Sequence, residues 1–104
     1  MNEILEITAE EVNAQKDQYI LVDVREPYEL TGPEGKIEGS ILATLGPDLD
    51  RFLESADSNK GYVFICRSGY RSGKACERAY ARGISKAHNL KGGMQAWNEW
   101  RRKS

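Results

Sequence analysis

The sequence predicts an α/β fold built on a mainly parallel sheet. Two short apolar runs rich in branched residues, 19–22 and 62–65, have the composition of strands that are buried on both faces. Strand-like segments alternate with segments of helical periodicity along the whole chain, without repeats or low-complexity stretches. The 104 residues suffice for one hydrophobic core. We therefore expect a single domain spanning residues 1–104, with its ligand site at the carboxyl ends of the strands.

The first strand and helix are indicated by local signals near the amino end. Residues 4–7 alternate enough to form a short strand. Thr8 and Glu11 have the spacing of a capping box, in which Thr8 is the N-cap and Glu11 is the reciprocal N3 residue. The helix that they begin is predicted to run to Gln15.

The second strand, residues 19–24, contains one carboxylate. Asp23 lies near the carboxyl end of this strand, where burial requires hydrogen-bond partners. Arg25 and the backbone N–H groups of a neighbouring loop are the candidates. We interpret Asp23 as the residue that ends the strand and organises the following turn, rather than as a direct catalyst.

The middle of the chain contains weaker signals. Residues 26–30 fit a helical turn, and residues 37–43 fit a brief strand. Asp48 is then expected to cap a helix that continues to Ser55. A polar turn leads from this helix to the strand 62–65.

A thiol directly follows the strand 62–65. The sequence there reads Cys66-Arg67-Ser68-Gly69-Tyr70-Arg71-Ser72 and leads into a helical segment. In such a strand-to-helix turn the backbone N–H groups point inward, and the helix N-terminus adds a partial positive charge. The turn therefore favours an anion. A thiolate is an anion, which makes Cys66 the candidate reactive residue.

The helix after this loop is predicted to begin at Ser72, a good N-cap, and to end before Gly83, which fits the C′ position. Its apolar residues recur at helical spacing and include Cys76. Free cysteine is among the most buried residue types. We therefore interpret Cys76 as a small buried hydrophobe rather than as a resolving thiol.

The last part of the chain predicts one more strand and one more helix. Residues 87–90 fit a strand, 91–93 a tight loop and 94–102 an amphipathic helix. Trp97 and Trp100 should pack inward from that helix, as core residues.

Charge is distributed unevenly. Residues 1–50 hold three basic and twelve acidic side chains, whereas residues 51–104 hold twelve basic and four acidic ones. The basic residues that follow Cys66 suggest either a positive field for small anions or a solvated helix face. The overall balance is acidic and the chain shows no nucleic-acid-binding motif, so we do not expect nucleic acid as a partner.

Membrane and metal association are also not expected. The longest apolar runs are far shorter than the roughly 20 residues that cross a bilayer. Acidic residues stand at the amino end where a secretory signal has basic ones, which predicts a cytoplasmic location with both thiols reduced. Neither the spacing of Cys66 and Cys76 nor the lone His88 fits a metal site.

Segments spread over nearly the whole chain resemble the single-domain rhodaneses, the thiosulfate sulfurtransferase family. They occur in the order found in that family and comprise residues 23–26 with 35–41, residues 66–72 and residues 89–97. The resemblance implies a five-stranded, mainly parallel sheet flanked by helices on both faces. It also implies that Cys66 accepts a sulfane sulfur as a persulfide and passes it to cyanide or a thiol.

The resemblance assigns roles to further residues. Arg67 and Arg71 are placed to attract a small anionic sulfur donor such as thiosulfate, although Arg71 could instead stiffen the loop through a salt bridge. Because the loop amides hold the persulfide anion, neither a metal nor an organic cofactor is required. The acceptor could be a small thiol or a protein that takes over the persulfide. The substrate-binding loop is Arg67, Ser68, Gly69, Tyr70, Arg71 and Ser72, and the supporting residues are Asp23, Arg25, Gly92 and Gly93.

Two alternatives remain open at this point. Rhodanese-like folds include phosphatases and arsenate reductases, whose loops place five residues between cysteine and arginine around a tetrahedral oxyanion. Here four residues separate Cys66 from Arg71, which makes a smaller cradle. The domain could also be a non-enzymatic sulfur carrier or an interaction module, because the same loop would serve that role.

Overall fold

Five strands form the centre of the structure, a computed structural model that describes residues 3–104. The strands are β1 (Leu5–Ile7), β2 (Tyr19–Asp23), β3 (Ile41–Leu42), β4 (Gly61–Ile65) and β5 (Ala87–Leu90). Their spatial order is β1-β5-β4-β2-β3, and each neighbouring pair is parallel. The predicted α/β class and the five-stranded parallel sheet are confirmed.

Four helices pack on this sheet. They are α1 (Ala9–Ala14), α2 (Pro47–Glu54), α3 (Tyr70–Ala81) and α4 (Gly93–Lys103), with short 3-10 turns at Lys16–Gln18 and Pro27–Thr31. Within residues 3–104, none of the helices combines the length and the apolar character that a membrane crossing requires.

Side chains alternate along the central strands, so the sheet has a hydrophobic layer on each face. In β4, Tyr62 and Phe64 belong to the layer shared with α2 and α3, whereas Val63 and Ile65 belong to the layer shared with α1 and α4. Both sets are buried. Burial on both faces explains why this strand is apolar without interruption.

The two tryptophans of α4 pack inward, as predicted. Trp97 is buried in the α1–α4 layer, and the half-buried Trp100 packs against the same layer. Their ring centroids lie 5.5 Å apart. This aromatic pair extends the apolar contacts of the α1–α4 layer along α4.

Local sequence signals set two helix ends as predicted. The Glu11 N–H donates to the Thr8 hydroxyl at 3.2 Å, and the Thr8 N–H donates to the Glu11 carboxylate at 2.9 Å, which completes the capping box of α1. At the end of α3, Gly83 has a φ of +83°, and the Ile84 N–H donates to the Ala79 carbonyl at 3.0 Å. This pattern is a Schellman motif with Gly83 at C′.

The predicted strand over residues 37–43 is too long. Only Ile41–Leu42 pairs with β2. Gly39 has a φ of +87°, and the Ser40 N–H donates to the Ile37 carbonyl at 3.1 Å, so the preceding residues form a turn. Ile37 is buried in the α1–α4 layer instead of extending the strand.

The predicted N-cap Asp48 is wrong. The N-cap of α2 is Gly46, whose φ is +124°, and Pro47 occupies the first helical position. Proline is favoured there because it lacks the N–H that a first-turn residue leaves unpaired. Asp48 lies in the first turn, where its carboxylate pairs with Arg51.

Asp23 and Arg25 form a buried ion pair at the carboxyl end of β2, so Arg25 is the observed partner among the candidates considered for Asp23. Each side chain is 1% exposed. Arg25 donates through Nε and Nη2 to the two carboxylate oxygens at 2.9 and 2.7 Å, and its backbone N–H donates to Asp23 Oδ1 at 3.0 Å. Arg25 Nη2 also donates to the Gly35 carbonyl at 2.7 Å. The pair therefore ties the segment after β2 to the sheet.

We expect the variant Arg25→Met to lower the free energy of unfolding by about 3–5 kcal/mol, because it leaves the Asp23 carboxylate buried without its partner. Urea denaturation followed by circular dichroism measures the change. The double variant Asp23→Leu/Arg25→Met, which removes both charges, should be clearly more stable than Arg25→Met. A double variant that is no more stable would contradict this explanation.

Candidate active site

Cys66 lies immediately after β4, the middle strand of the sheet. Its side chain is 1% exposed. The carboxyl ends of β2 and β5 flank this position, because both strands pair with β4 in parallel. The structure therefore places the candidate reactive thiol at the carboxyl edge of the sheet, where ligands bind in folds of this class.

Hydrogen-bond donors converge on the sulfur of Cys66. The Gly69 N–H lies 3.1 Å from Sγ, and the Ser72 hydroxyl lies 3.2 Å from it. Burial raises the pKa of the Cys66 thiol, but the Ser72 hydroxyl and the backbone N–H groups of Ser72, Gly69 and Ser68 outweigh it, so the pKa lies below its ordinary value. The site therefore stabilises the thiolate more than an ordinary exposed cysteine would be stabilised, although the sulfur is buried.

The backbone of Gly69 makes this arrangement feasible. Its φ is +109°, in the region that favours glycine, and it is the N-cap of α3. The sequence-based prediction that Ser72 is the N-cap is therefore wrong. Ser72 is the third residue of the helix. Its side chain is fully buried and turns toward Cys66 instead of capping the helix.

Asn89 is a site residue that the sequence reasoning missed. It lies in β5, 5% exposed, and its Nδ2 donates to the Gly69 carbonyl at 3.0 Å. The Ser72 hydroxyl also forms a short hydrogen bond with Asn89 Oδ1. An amide side chain next to an apolar residue within a short predicted strand was the available signal.

The N-terminus of α4 holds the other side of the loop. The Met94 N–H donates to the Cys66 carbonyl at 2.8 Å, and the Gln95 N–H donates to the Arg67 carbonyl at 3.0 Å. Gly93 makes this approach possible, since a Cβ atom there would lie 2.5 Å from the Cys66 carbonyl oxygen. Gly92 and Gly93 both have positive φ, 74° and 60°.

Arg71 is bound by an acid from the amino-terminal half of the chain. Its two terminal nitrogens donate to the two carboxylate oxygens of Glu29 at 2.7 and 2.9 Å. Arg71 holds the pKa of Glu29 well below its usual range, at about 2. This is the contact that a loop-stiffening role requires, and Arg71 remains one-third exposed.

Other basic residues near the loop also face acids. Arg67 Nε lies 3.8 Å from a Glu34 oxygen, and Arg78 and Arg82 approach Asp50 at 3.0 and 3.8 Å. The acidic and basic halves of the sequence are therefore brought together. This pairing weakens the positive field that the charge distribution suggested.

The remaining candidate residues are either exposed residues of the loop or buried residues that do not contact the sulfur. The side chains of Arg67, Ser68 and Tyr70 are exposed. Asp23 and Arg25 do not contact the sulfur, but they anchor the segment that carries Glu29, and Arg25 Nη1 lies 3.4 Å from the Glu29 carbonyl. Their connection to the loop is therefore indirect, because Arg25 contacts the backbone of Glu29 and the Glu29 carboxylate binds Arg71.

Cys76 is a buried hydrophobe, as the sequence predicts. It is fully buried in the α2–α3 layer, and burial raises its pKa to about 12. A thiol with this pKa is almost entirely protonated near neutral pH and is a poor nucleophile. Within residues 3–104, no group of three or more His, Cys, Asp or Glu side chains is arranged to hold a metal ion.

Comparison with known proteins identifies the family of this chain. The profile of the family described as "Rhodanese-like domain" matches residues 8–99. The "Putative sulfurtransferase YtwF" of Bacillus subtilis is 41% identical over 88 residues, which cover 85% of this chain and 81% of that protein.

Two solved structures show the same fold. A rhodanese-related protein from Thermoplasma volcanium superposes with a TM-score of 0.82 at 31% identity, covering 92% of each chain. A rhodanese-like domain protein from Staphylococcus aureus has a TM-score of 0.79 at 32% identity, covering 90% of this chain and 91% of that one.

Substitution of Gly93 by alanine, which adds one methyl group, tests the close contact between α4 and the loop. We expect Gly93→Ala to lower the free energy of unfolding by about 3 kcal/mol or more, because it combines positive-φ strain with a backbone clash. Gly83→Ala is the matched control. Gly83 also has a positive φ but has open space around it, so its replacement should cost about 1 kcal/mol. Equal costs in urea denaturation would contradict the close approach.

The Glu29–Arg71 pair predicts a defined pH dependence of stability. Because the folded pKa of Glu29 is about 2, below the ordinary value of 4.5, its stabilising contribution is fully present above pH 4.5 and is lost as the pH falls through 2. We expect Glu29→Gln to be less stable than the wild type by about 1–2 kcal/mol at pH 7. Chemical denaturation should show this difference shrinking as the pH falls from 4.5.

Glu34→Gln is the control for that experiment. Its partner Arg67 is 61% exposed and lies 3.8 Å away, so its replacement should change stability little at any of these pH values. A Glu29→Gln difference that stays constant down to pH 2 would show that the charge of Glu29 does not stabilise the fold.

Proposed function

The chain belongs to the rhodanese-like domain family, and we propose that it is a sulfurtransferase in which Cys66 carries a sulfane sulfur as a persulfide. The observation that carries the proposal is the convergence of the Ser72 hydroxyl and the Gly69 N–H on Sγ, at 3.2 and 3.1 Å. These donors lower the pKa of a buried thiol. The thiolate is the form of cysteine that attacks sulfur.

The proposed reaction has two steps, each of which breaks one bond to sulfur. First, the Cys66 thiolate attacks the outer sulfur of thiosulfate or of a persulfide donor. The S–S bond of the donor breaks, sulfite or a thiolate leaves with the electron pair, and a Cys66 persulfide forms. Second, cyanide or a thiolate attacks the outer sulfur of that persulfide. Thiocyanate or a new persulfide forms, and Cys66 leaves as the thiolate.

The loop is proposed to hold the charged outer sulfur during the interval between these steps. Four residues separate Cys66 from Arg71. A cradle of this length suits one terminal sulfur better than a tetrahedral phosphoryl group, which supports sulfur transfer over phosphatase chemistry. The N–H groups at the start of α3 supply partial positive charge without a metal ion.

The exposed loop residues are proposed to receive the donor and the acceptor. Arg67 is 61% exposed at the rim and could meet the sulfonate group of thiosulfate. Arg71 is proposed to support the loop through Glu29 and to add positive charge near the sulfur, since it interacts electrostatically with Cys66. Tyr70, 73% exposed, would border the path of an incoming acceptor.

Replacing each cysteine by serine tests the proposal. In the wild type, incubation with thiosulfate followed by intact-mass measurement should show one added sulfur on Cys66, and addition of cyanide should release thiocyanate. We expect Cys66→Ser to lose both signals and Cys76→Ser to keep them, because Cys76 is buried and protonated.

Other outcomes of the same experiment separate the alternatives. An unmodified wild-type protein that hydrolyses an aryl phosphate would overturn the sulfurtransferase in favour of a phosphatase. A persulfide that forms but is never released to cyanide or to a small thiol would support a carrier. Loss of sulfur loading in Cys76→Ser, with the fold intact, would contradict the assignment of Cys66 as the only reactive thiol.

A further inference from the structure

The Ser72 hydroxyl lies between two acceptors. Its oxygen is 3.2 Å from Cys66 Sγ and forms a short hydrogen bond with Asn89 Oδ1. Ser72 is fully buried and Asn89 is 5% exposed, so neither side chain has ready access to bulk water. Cys66 Sγ and Asn89 Oδ1 are therefore the two acceptors that the Ser72 hydroxyl contacts.

The orientation of the Asn89 amide is fixed by its other contact. Its Nδ2 lies 3.0 Å from the Gly69 carbonyl oxygen, which can only accept a hydrogen bond. The NH2 group must therefore face Gly69, and Oδ1 must face Ser72. Asn89 thus presents an acceptor to the hydroxyl.

A hydroxyl has one proton and can donate it to one acceptor at a time. When Cys66 is a thiol, its S–H donates to Ser72 Oγ, and Ser72 donates to Asn89 Oδ1, so each group has a partner. When Cys66 is a thiolate, the sulfur has lost its own proton and, as an anion, is a stronger acceptor than the neutral Asn89 amide oxygen. Ser72 then turns its proton to the sulfur, and Asn89 Oδ1 loses its donor.

We propose that Asn89 is a positioning residue that competes with the Cys66 sulfur for the single hydroxyl proton of Ser72. Ionisation of Cys66 therefore breaks a buried hydrogen bond to Asn89, which opposes the ionisation. The inference deepens the proposed function and rests on Cys66 as the residue that carries the sulfur.

The persulfide has a different requirement from the thiolate. Once a second sulfur is attached, the negative charge lies on the outer atom, and Sγ is bonded to carbon and sulfur without a charge of its own. The Ser72 proton is then free to return to Asn89. Asn89 therefore stabilises the sulfur-loaded state relative to the empty thiolate.

The charged side chain that interacts with Cys66 lies on a different element from Asn89. Arg71, from α3, interacts electrostatically with Cys66 and is paired with Glu29 from the 3-10 turn after β2. Asn89, from β5, is neutral, and α4 contributes backbone N–H groups to the loop carbonyls. A change at Asn89 therefore leaves the charge of the site unaltered.

A pH titration of Cys66 tests the proposal. The ultraviolet absorbance of the thiolate, taken as a difference from the Cys66→Ser protein, gives the titration midpoint. We expect Asn89→Leu to lower this midpoint by about one pH unit, the equivalent of one neutral hydrogen bond. In a Ser72→Ala background, the same substitution should produce only a small fraction of that shift.

The double-variant comparison decides between this inference and a general loosening of the loop. A midpoint that stays the same or rises in Asn89→Leu would overturn the inference, and so would a shift that persists undiminished without Ser72. If Asn89→Leu does not fold, Asn89→Ala carries the same expectation, because alanine has no side-chain acceptor for the Ser72 proton.

The titration does not depend on sulfur transfer. If the midpoints behave as expected but the wild type never accepts sulfur, the proposed function fails and the competition for the proton stands. If sulfur transfer is normal but the midpoint of Asn89→Leu is unchanged, the competition fails and the proposed function stands.

Discussion

The site depends on the direction of the peptide groups in the loop after β4. For N–H groups to face the sulfur of Cys66, the carbonyls of the same segment must face away and still find donors. The first N–H groups of α4 supply them, at 2.8 Å for Cys66 and 3.0 Å for Arg67. The N-termini of two helices thus form hydrogen bonds with this one loop. The first turn of α3 faces the sulfur, and that of α4 binds the carbonyls, at a distance that only glycine at position 93 allows.

Neutral hydrogen-bond donors make the main contribution to the lowered pKa of the Cys66 thiol. Arg71 and Arg67 each face a carboxylate, and the buried Arg25 is bound to Asp23. The donors that contact the Cys66 sulfur, the Gly69 N–H and the Ser72 hydroxyl, are neutral and are held in place before any reaction occurs. Such preorganised donors act strongly where water is excluded. The arginines and their acids have a different effect, because they fix the segments that carry those donors.

The sequence predicted the features that depend on neighbours along the chain. The capping box of Thr8 and Glu11, the C′ glycine at Gly83 and the doubly buried strand over 62–65 follow from local spacing and composition. Ser72 was assigned as a cap because serine prefers that position, but tertiary contacts with Cys66 and Asn89 decided its conformation. The partner of Arg71 is 42 residues away, and that of Ser72 is 17 residues away. Pairs at such distances have no local signature, so one sequence could not indicate them.

The inert Cys76 has a consequence for oxidation of the protein. Cys76, the other cysteine among residues 1–104, is fully buried and has a pKa raised to about 12, so it is unsuited to act as a resolving thiol for Cys66. A sulfenic acid formed at Cys66 could not be stored as an internal disulfide. Its reduction would then require a thiol from another molecule.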